Sequence, residues 1–404
     1  MMVPPVATEG MHLGPLASLK VLDFSTLLPG PYASLLLADL GAEVLRVESP
    51  TRPDLVRALE PRDGGQSAAH SYLNRSKRSL TLDLKRPGAA DLVKRLVQRY
   101  DIVLEQFRPG VMERLGVGYA ALRAANPRVI FCSITGYGQD GPYRDRPGHD
   151  INYLALAGVA DNCRRQGQRP SPLGVQVADV AGGSLHAVIG LLAAVVQRER
   201  SGSGQQVDIS MTDCAFALQA LDNPAWLAGG VAPEVEGGWL NGGTHYDYYP
   251  TRDGRLFAVG SLEPQFRDRL CAVLGIGELA GWADSSDAEV RARFKQRVAE
   301  AFHARDFAEL GAAFADAEAC VEPVLTLPEA SAHPQLRARG MVVEVPRDGS
   351  GSQAQPACAL KFSAAAPSYR HTGRAPGADN AEVLAELGLD ATAVAALQAA
   401  GVFG

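Results

Sequence analysis

The sequence predicts an α/β protein, with a large domain built on a mostly parallel sheet and a smaller α+β domain after it. Two observations carry this. In the first half, short runs rich in β-branched residues alternate with segments whose apolar residues recur at helical spacing. From about residue 223 the texture changes to a Gly-rich stretch, one hairpin signal and charged helical patterns.

Taken in order, residues 1–14 read as a loose N-terminal tail. Residues 15–222 form the large domain, in which "LKVLDF" (19–24), "EVLRVE" (43–48), "SLTLDL" (79–84), "DIVLEQF" (101–107) and "RVIFCSITG" (128–136) read as strands. Between them "YASLLLADLGA" and "RPGAADLVKRLVQRY" read as helices, an alternation that places helices on both faces of the sheet. Pro29 and Pro31 set a helix start, Pro31 in its first turn. The small domain spans 223–334, with a hairpin around Asp253-Gly254 followed by helical patterns. Residues 335–404 return to the large domain through the strand-like "GMVVEVP".

Composition bounds the function. At 46% apolar and 21% charged residues, the 404-residue chain can bury a large core. The 39 basic and 45 acidic residues leave a net charge of −6, which gives no general attraction for nucleic acid or anionic lipid. Six scattered cysteines without a CxxC pair indicate neither a disulfide framework nor a metal site. The first residues lack the pattern of a secretory signal, and the apolar run "AVIGLLAAVV" is too short to span a bilayer. A cytoplasmic protein with no nucleic-acid or membrane partner is expected. No Gly-x-Gly-x-x-Gly follows the first strand, which speaks against a dinucleotide cofactor.

Sites in open α/β sheets lie at the carboxyl ends of the strands, so polar residues there are the candidates. His149, in "RPGHDINYLALAG", follows a Pro-Gly break and precedes an apolar helical run; it reads either as a cap or as a base aimed into the cleft. Asp179, in "VADVAGGS", stands before a long apolar helix, where a capping role and a catalytic role are both open. That helix terminus is also a candidate donor site for a developing oxyanion. Glu263, in "AVGSLEPQF", precedes Pro264 and by itself reads as a charge at a helix start. His303, in a charged helical pattern, reads as a solvated residue.

Together "LLPGPYASLLLADLGAEVLRVE", "EQFRPGVMERLG", "GHDINYLALAG", "VADVAGGS" and "VGSLEPQF", from about residue 15 to about residue 345, resemble the family III CoA-transferases (CaiB/BaiF), in the branch containing α-methylacyl-CoA racemase. The resemblance implies a Rossmann-like large domain, an interlocked homodimer, and an acyl-CoA thioester substrate whose CoA is no separate cofactor. It implies that His149 and Asp179 are a two-base pair and that Glu263 is the hydrogen-bond partner of His149, supplied by either chain of the dimer. It further implies CoA contacts from Lys85, from Gln106, Phe107 and Arg108, from Arg114, and from the loop containing Gly148, Asp150 and Tyr153. One departure stands out: "VESP" carries Ser49 where these racemases have a basic residue, so Arg52 becomes the candidate grip on the adenine-phosphate end. The basic cluster "NRSKRS" (74–79) is a second candidate for the phosphates.

Three readings follow. In the first, a racemase inverts the α-carbon of 2-methylacyl-CoA thioesters, one base removing a proton from one face of an enolate and the other delivering to the opposite face. In the second, a CoA-transferase uses Asp179 as a nucleophile and His149 is incidental. In the third, the chain only binds CoA thioesters; His149, Asp179 and Glu263 speak against it.

Overall fold

A computed structural model describes residues 14–404; residues 1–13, most of the expected tail, lie outside the described residues. The main sheet has six strands, all parallel: β1 (Lys20–Asp23), β2 (Glu43–Glu48), β3 (Arg78–Thr81), β4 (Ile102–Glu105), β5 (Ile130–Thr135) and β6 (Gln206–Ser210). Their spatial order is β3-β2-β1-β4-β5-β6. The chain order therefore reverses between β1 and β4, and a crevice opens at their carboxyl ends. Strands β1, β2, β4 and β5 are almost wholly buried, as a sheet covered on both faces requires, whereas the edge strand β6 is buried only at Ile209 and Ser210.

Helix α1 (Pro29–Asp39) begins with proline at its first position, where a missing N–H costs nothing, and packs along β1 and β2. Helix α2 (Ala89–Leu96) sets Leu92, Val93 and Leu96 against Leu22, Leu45, Val103 and Phe131 of the strands. Val383, Leu384 and Val402 complete the same cluster. The C-terminal segment also satisfies the outer edge of the sheet: Asp379 and Asn380 side chains accept from the Ser79 and Thr81 N–H groups of β3 at 2.7 and 3.0 Å. An unpaired edge is thereby closed to other strands.

Two further sequence expectations change. The run "AVIGLLAAVV" belongs to one continuous helix, Ala178–Ser201, of 24 residues, long and apolar enough by length and composition to cross a membrane. The ten-residue run is extended by the Gly-containing "ADVAGGSL", which folds as a π-helical segment (178–185) leading into α3 (His186–Ser201). Here α3 packs on β5 and β6, burying Ala187, Leu191 and Ala194. The cluster "NRSKRS" does not offer its charges to a ligand. Arg75 is buried and doubly bonded to Asp39, at 2.9 and 2.6 Å; Lys77 is buried against the Pro31 carbonyl and Asn74; Arg78 pairs with Glu43 and Glu386. Burial of a cation is tolerable only with such partners, and these consume the donors a phosphate would need.

The chain divides into two compact units, 14–157 with 173–218 and 335–404, and 158–172 with 219–334. The second takes a segment, 158–172, that the sequence reading left in the large domain. It is built on a three-stranded antiparallel sheet, β7 (Asp247–Pro250), β8 (Leu256–Val259) and β9 (Val321–Pro323), with the turn at Asp253-Gly254 joining β7 to β8. Phe257, Phe302 and Phe314 stack beneath it with Tyr249.

Candidate active site

A cavity of about 530 Å³ opens in the first unit at the carboxyl ends of four strands. After β1 come Leu27 and Pro29; after β4, Gln106, Phe107, Arg108 and Pro109; at and after β5, Ile134 to Tyr137; after β6, Met211. The loop of Arg144, Arg146, Pro147, Gly148 and His149, with Asn152, Tyr153 and Asp179, closes the lining. β1 and β4 flank the point where strand order reverses, which is where such sheets take ligands.

His149 is the N-cap residue of the helix Asp150–Leu156, with extended backbone (φ −132°, ψ 172°). Its N–H donates to the Asn152 Oδ1 at 3.0 Å, so the start of the helix is tied by the backbone of His149, a residue that also lines the cavity. Gly148 and Gly136 make room: a Cβ at either would lie 2.6 or 2.5 Å from the ring of Tyr153. That ring is buried and meets Tyr137 edge-on at 5.3 Å between centroids.

Of the two roles open to Asp179, the N-cap one does not hold. The helical conformation already begins at Val177 (φ −68°, ψ −41°), which places Asp179 inside the first turn of the π segment. Its N–H donates to Asp150 Oδ1 at 3.0 Å, so one donor of the candidate oxyanion site is already engaged by a carboxylate. Burial, reinforced by the charge of Asp150 and opposed by His149, pushes the Asp179 carboxyl up to about 6. The wide π turn is anchored by small residues: Ser184 donates to the Pro29 carbonyl at 2.6 Å, and Gly183 lies against Pro29, Met211 and Ile134. Single π turns inside α-helices occur often at functional sites, because they redirect a side chain without ending the helix.

The other expected residues are distributed unevenly. Gln106, Phe107, Arg108, Gly148 and Tyr153 line the cavity. The Gln106 carbonyl oxygen is spent on the Gly30 N–H at 2.9 Å, so that side chain organises the start of α1. Arg108 is exposed and enters no ion pair among the described residues. Asp150 supports Asp179 and does not itself line the cavity. Lys85 and Arg114 are exposed and lie outside the lining, as does Arg52, whose N–H bonds Ser49 Oγ at 3.3 Å. Glu263 caps the helix Pro264–Leu274 in the second unit and is exposed there; His303 is exposed.

Several lining residues escaped the sequence reading. Tyr137, Arg144 and Arg146 surround the Pro-Gly break before His149, with Arg146 stacked 3.6 Å above the ring of Tyr143. Their proximity in sequence to His149 was the available signal. Glu105, at the end of β4, is buried; it accepts the Phe107 N–H at 2.7 Å, and burial pushes its carboxyl up to about 7. Nothing in the string "LEQF" distinguishes that buried carboxyl from a surface one.

Comparison with known proteins agrees with this architecture. A family profile described as "CoA-transferase family III" matches residues 16–380, further toward the C-terminus than the motifs suggested. The chain is 36% identical over 379 residues to an α-methylacyl-CoA racemase of Homo sapiens, covering 92% of this chain and 93% of that protein. It is 34% identical over 390 residues to a succinate–glutarate CoA-transferase of Agrobacterium fabrum, covering 92% and 96%. Among solved structures, a CAIB/BAIF family protein from Brucella suis superposes with a TM-score of 0.80 at 31% identity, over 93% of this chain and 100% of that one. Racemase and transferase relatives thus stand at nearly equal distance, and the family profile spans most of the sequence: the chain belongs to CoA-transferase family III and is an enzyme of that family's transferase and racemase type.

Proposed function

We propose that the protein is a racemase that inverts the α-carbon of 2-methylacyl-CoA thioesters by proton transfer between His149 and Asp179. The observation that carries this reading is that His149 and Asp179 line one cavity, with the Asp179 carboxyl raised to about 6. A carboxyl so placed exchanges its proton near neutrality and can act as acid or base at one pH.

The step balances within the pair. One member takes the α-proton, the C–H electron pair moves into the thioester to form an enolate, and the other member delivers a proton to the opposite face. The return reaction starts from the complementary state, imidazolium and carboxylate in place of imidazole and carboxylic acid. Both states carry the same single proton, so one enzyme form serves both directions. The apolar share of the lining, from Leu27, Ile134 and Met211, suits a branched acyl chain and raises the strength of interactions at the developing charge. Arg108, exposed and in the lining beside Arg144 and Arg146, suits the CoA phosphates, and Glu263 is proposed to partner His149 in a homodimer. No separate cofactor enters this scheme, and a cytoplasmic, membrane-free setting is part of the same proposal.

A second reading has one observation in its favour. Asp179 lines the cavity, so its carboxylate could attack a thioester carbonyl and form an acyl-enzyme anhydride, releasing CoA thiolate. Incubation of one enantiomer of a 2-methylacyl-CoA in D₂O, without acceptor acid, separates the two. Deuterium at the α-carbon with appearance of the other enantiomer supports the racemase, and His149→Ala and Asp179→Ala should each lower inversion by at least about 10³-fold. Absence of exchange, joined with CoA transfer once a free carboxylic acid is added, assigns Asp179 as the nucleophile.

A further inference from the structure

Leu27 combines two unfavourable features. Its φ of +60° lies in the left-handed region, where a bulky side chain crowds its own backbone, and its side chain is 36% exposed, between a buried Ser25 and a buried Pro29. Strain of this kind persists only where surrounding structure imposes it. The constraint is visible. Both carboxylate oxygens of Asp54, at 3.1 Å each, accept the Leu27 N–H. Asp54 is itself buried, receives the Val56 N–H at 3.0 Å, and is held by Arg46 Nη2 at 2.5 Å.

The held loop reaches the reacting groups. Leu27 lines the cavity with Asp179 and His149, and two residues on, the Pro29 carbonyl accepts Ser184 of the π segment that carries Asp179. An apolar side chain forced toward solvent inside a substrate cavity gains its burial from whatever the cavity binds.

We propose that Leu27 is the specificity-determining wall of the acyl pocket and that Asp54, backed by Arg46, is the positioning residue that keeps it aimed there. The proposal rests on the reading of the cavity as an acyl-CoA site, and it holds for a racemase and for a transferase alike. Glycine adopts the left-handed conformation without strain, so Leu27→Gly removes the wall while the turn survives.

The test measures dissociation constants of wild type and variants for CoA, acetyl-CoA, 2-methylpropanoyl-CoA and a long-chain 2-methylacyl-CoA. Leu27→Gly is expected to leave affinity for CoA within about twofold and to shift the ratio of short-chain to long-chain thioester affinity by about tenfold or more. Asp54→Asn should shift that ratio in the same direction in the Leu27 background and have little effect on it in the Leu27→Gly background, since its influence passes through Leu27. Equal weakening of CoA and every thioester would mark Leu27 as a contact to the pantetheine arm and overturn the proposal; so would an unchanged ratio, or an Asp54→Asn effect undiminished by Leu27→Gly. Wild-type binding without α-proton exchange would sink the racemase reading alone and leave this test intact.

Discussion

Asp179 is where chemistry and stability meet. Its carboxyl ordinarily titrates near 3.8 and is pushed up to about 6 in the fold, first by burial and then by Asp150. The folded state therefore binds a proton more tightly than the unfolded one, and stability is lost as pH rises from about 3.8 through about 6. Asp179→Asn is expected to raise stability by on the order of 1–2 kcal/mol at about pH 8 and by little at about pH 4, read by urea unfolding at both. Activity carries a second signature. Because one shared proton must reside on the His149–Asp179 pair, kcat/KM for inversion should fall on both sides of an optimum. A nucleophilic Asp179 instead predicts a rate that rises through about pH 6 and stays level. At this scale the sequence singled out His149 and Asp179 as candidates, since both sit in distinctive short strings. It was silent on what holds them: Asp150 beneath the Asp179 N–H, and Tyr153 in the space left by Gly136 and Gly148, are separated in sequence and meet only in the fold.

Among the elements, the π segment and the strand edge carry the testable consequences. A Cβ at Gly183 would lie 3.1 Å from Pro29 Cβ, 3.2 Å from Met211 Cγ and 3.3 Å from Ile134 Cγ2. Gly183→Ala is therefore expected to destabilise by about 1–3 kcal/mol and to lower kcat by displacing the Asp179 turn, with thermal unfolding and single-turnover rates as the readouts. Arg75→Met should cost about 3–5 kcal/mol, because Asp39 is left buried without its cation. Affinity for CoA per folded molecule should be unchanged by it, a result that separates an internal ion pair from the phosphate grip that "NRSKRS" suggested. Five strands of the parallel sheet were readable because they carry runs of Val, Ile and Leu, and β6, the edge strand "QVDIS", was not because polar residues break its apolar run. The π turn was not, since "ADVAGGSL" has the composition of a capped helix start and its width is set by packing against α1 and the helix Met211–Ala217.

For the whole molecule, each unit exposes large apolar side chains: Leu185 and Ile189 on the first, Trp226, Leu227 and Trp239 on the second. Surface of this kind in a family III enzyme fits the proposed homodimer. Sedimentation equilibrium is expected to return twice the mass of the chain, and Trp226→Glu together with Ile189→Glu to lower that mass toward a single chain; a monomeric wild type with full activity would remove the dimer from the scheme.

The sequence by itself determined the α/β class, five of the six strands of the parallel sheet and the family, and it singled out His149 and Asp179 as candidates. These depend on local periodicity and on short contiguous strings. Only the tertiary structure decided that Asp179 lies inside a π turn with its N–H engaged, that Arg75 and Lys77 are internal, and that Leu27 is held in a strained conformation by Asp54. Each of those outcomes is set by which distant side chain supplies a buried charge or N–H with its partner, and burial energetics depend on partners that linear order does not bring together.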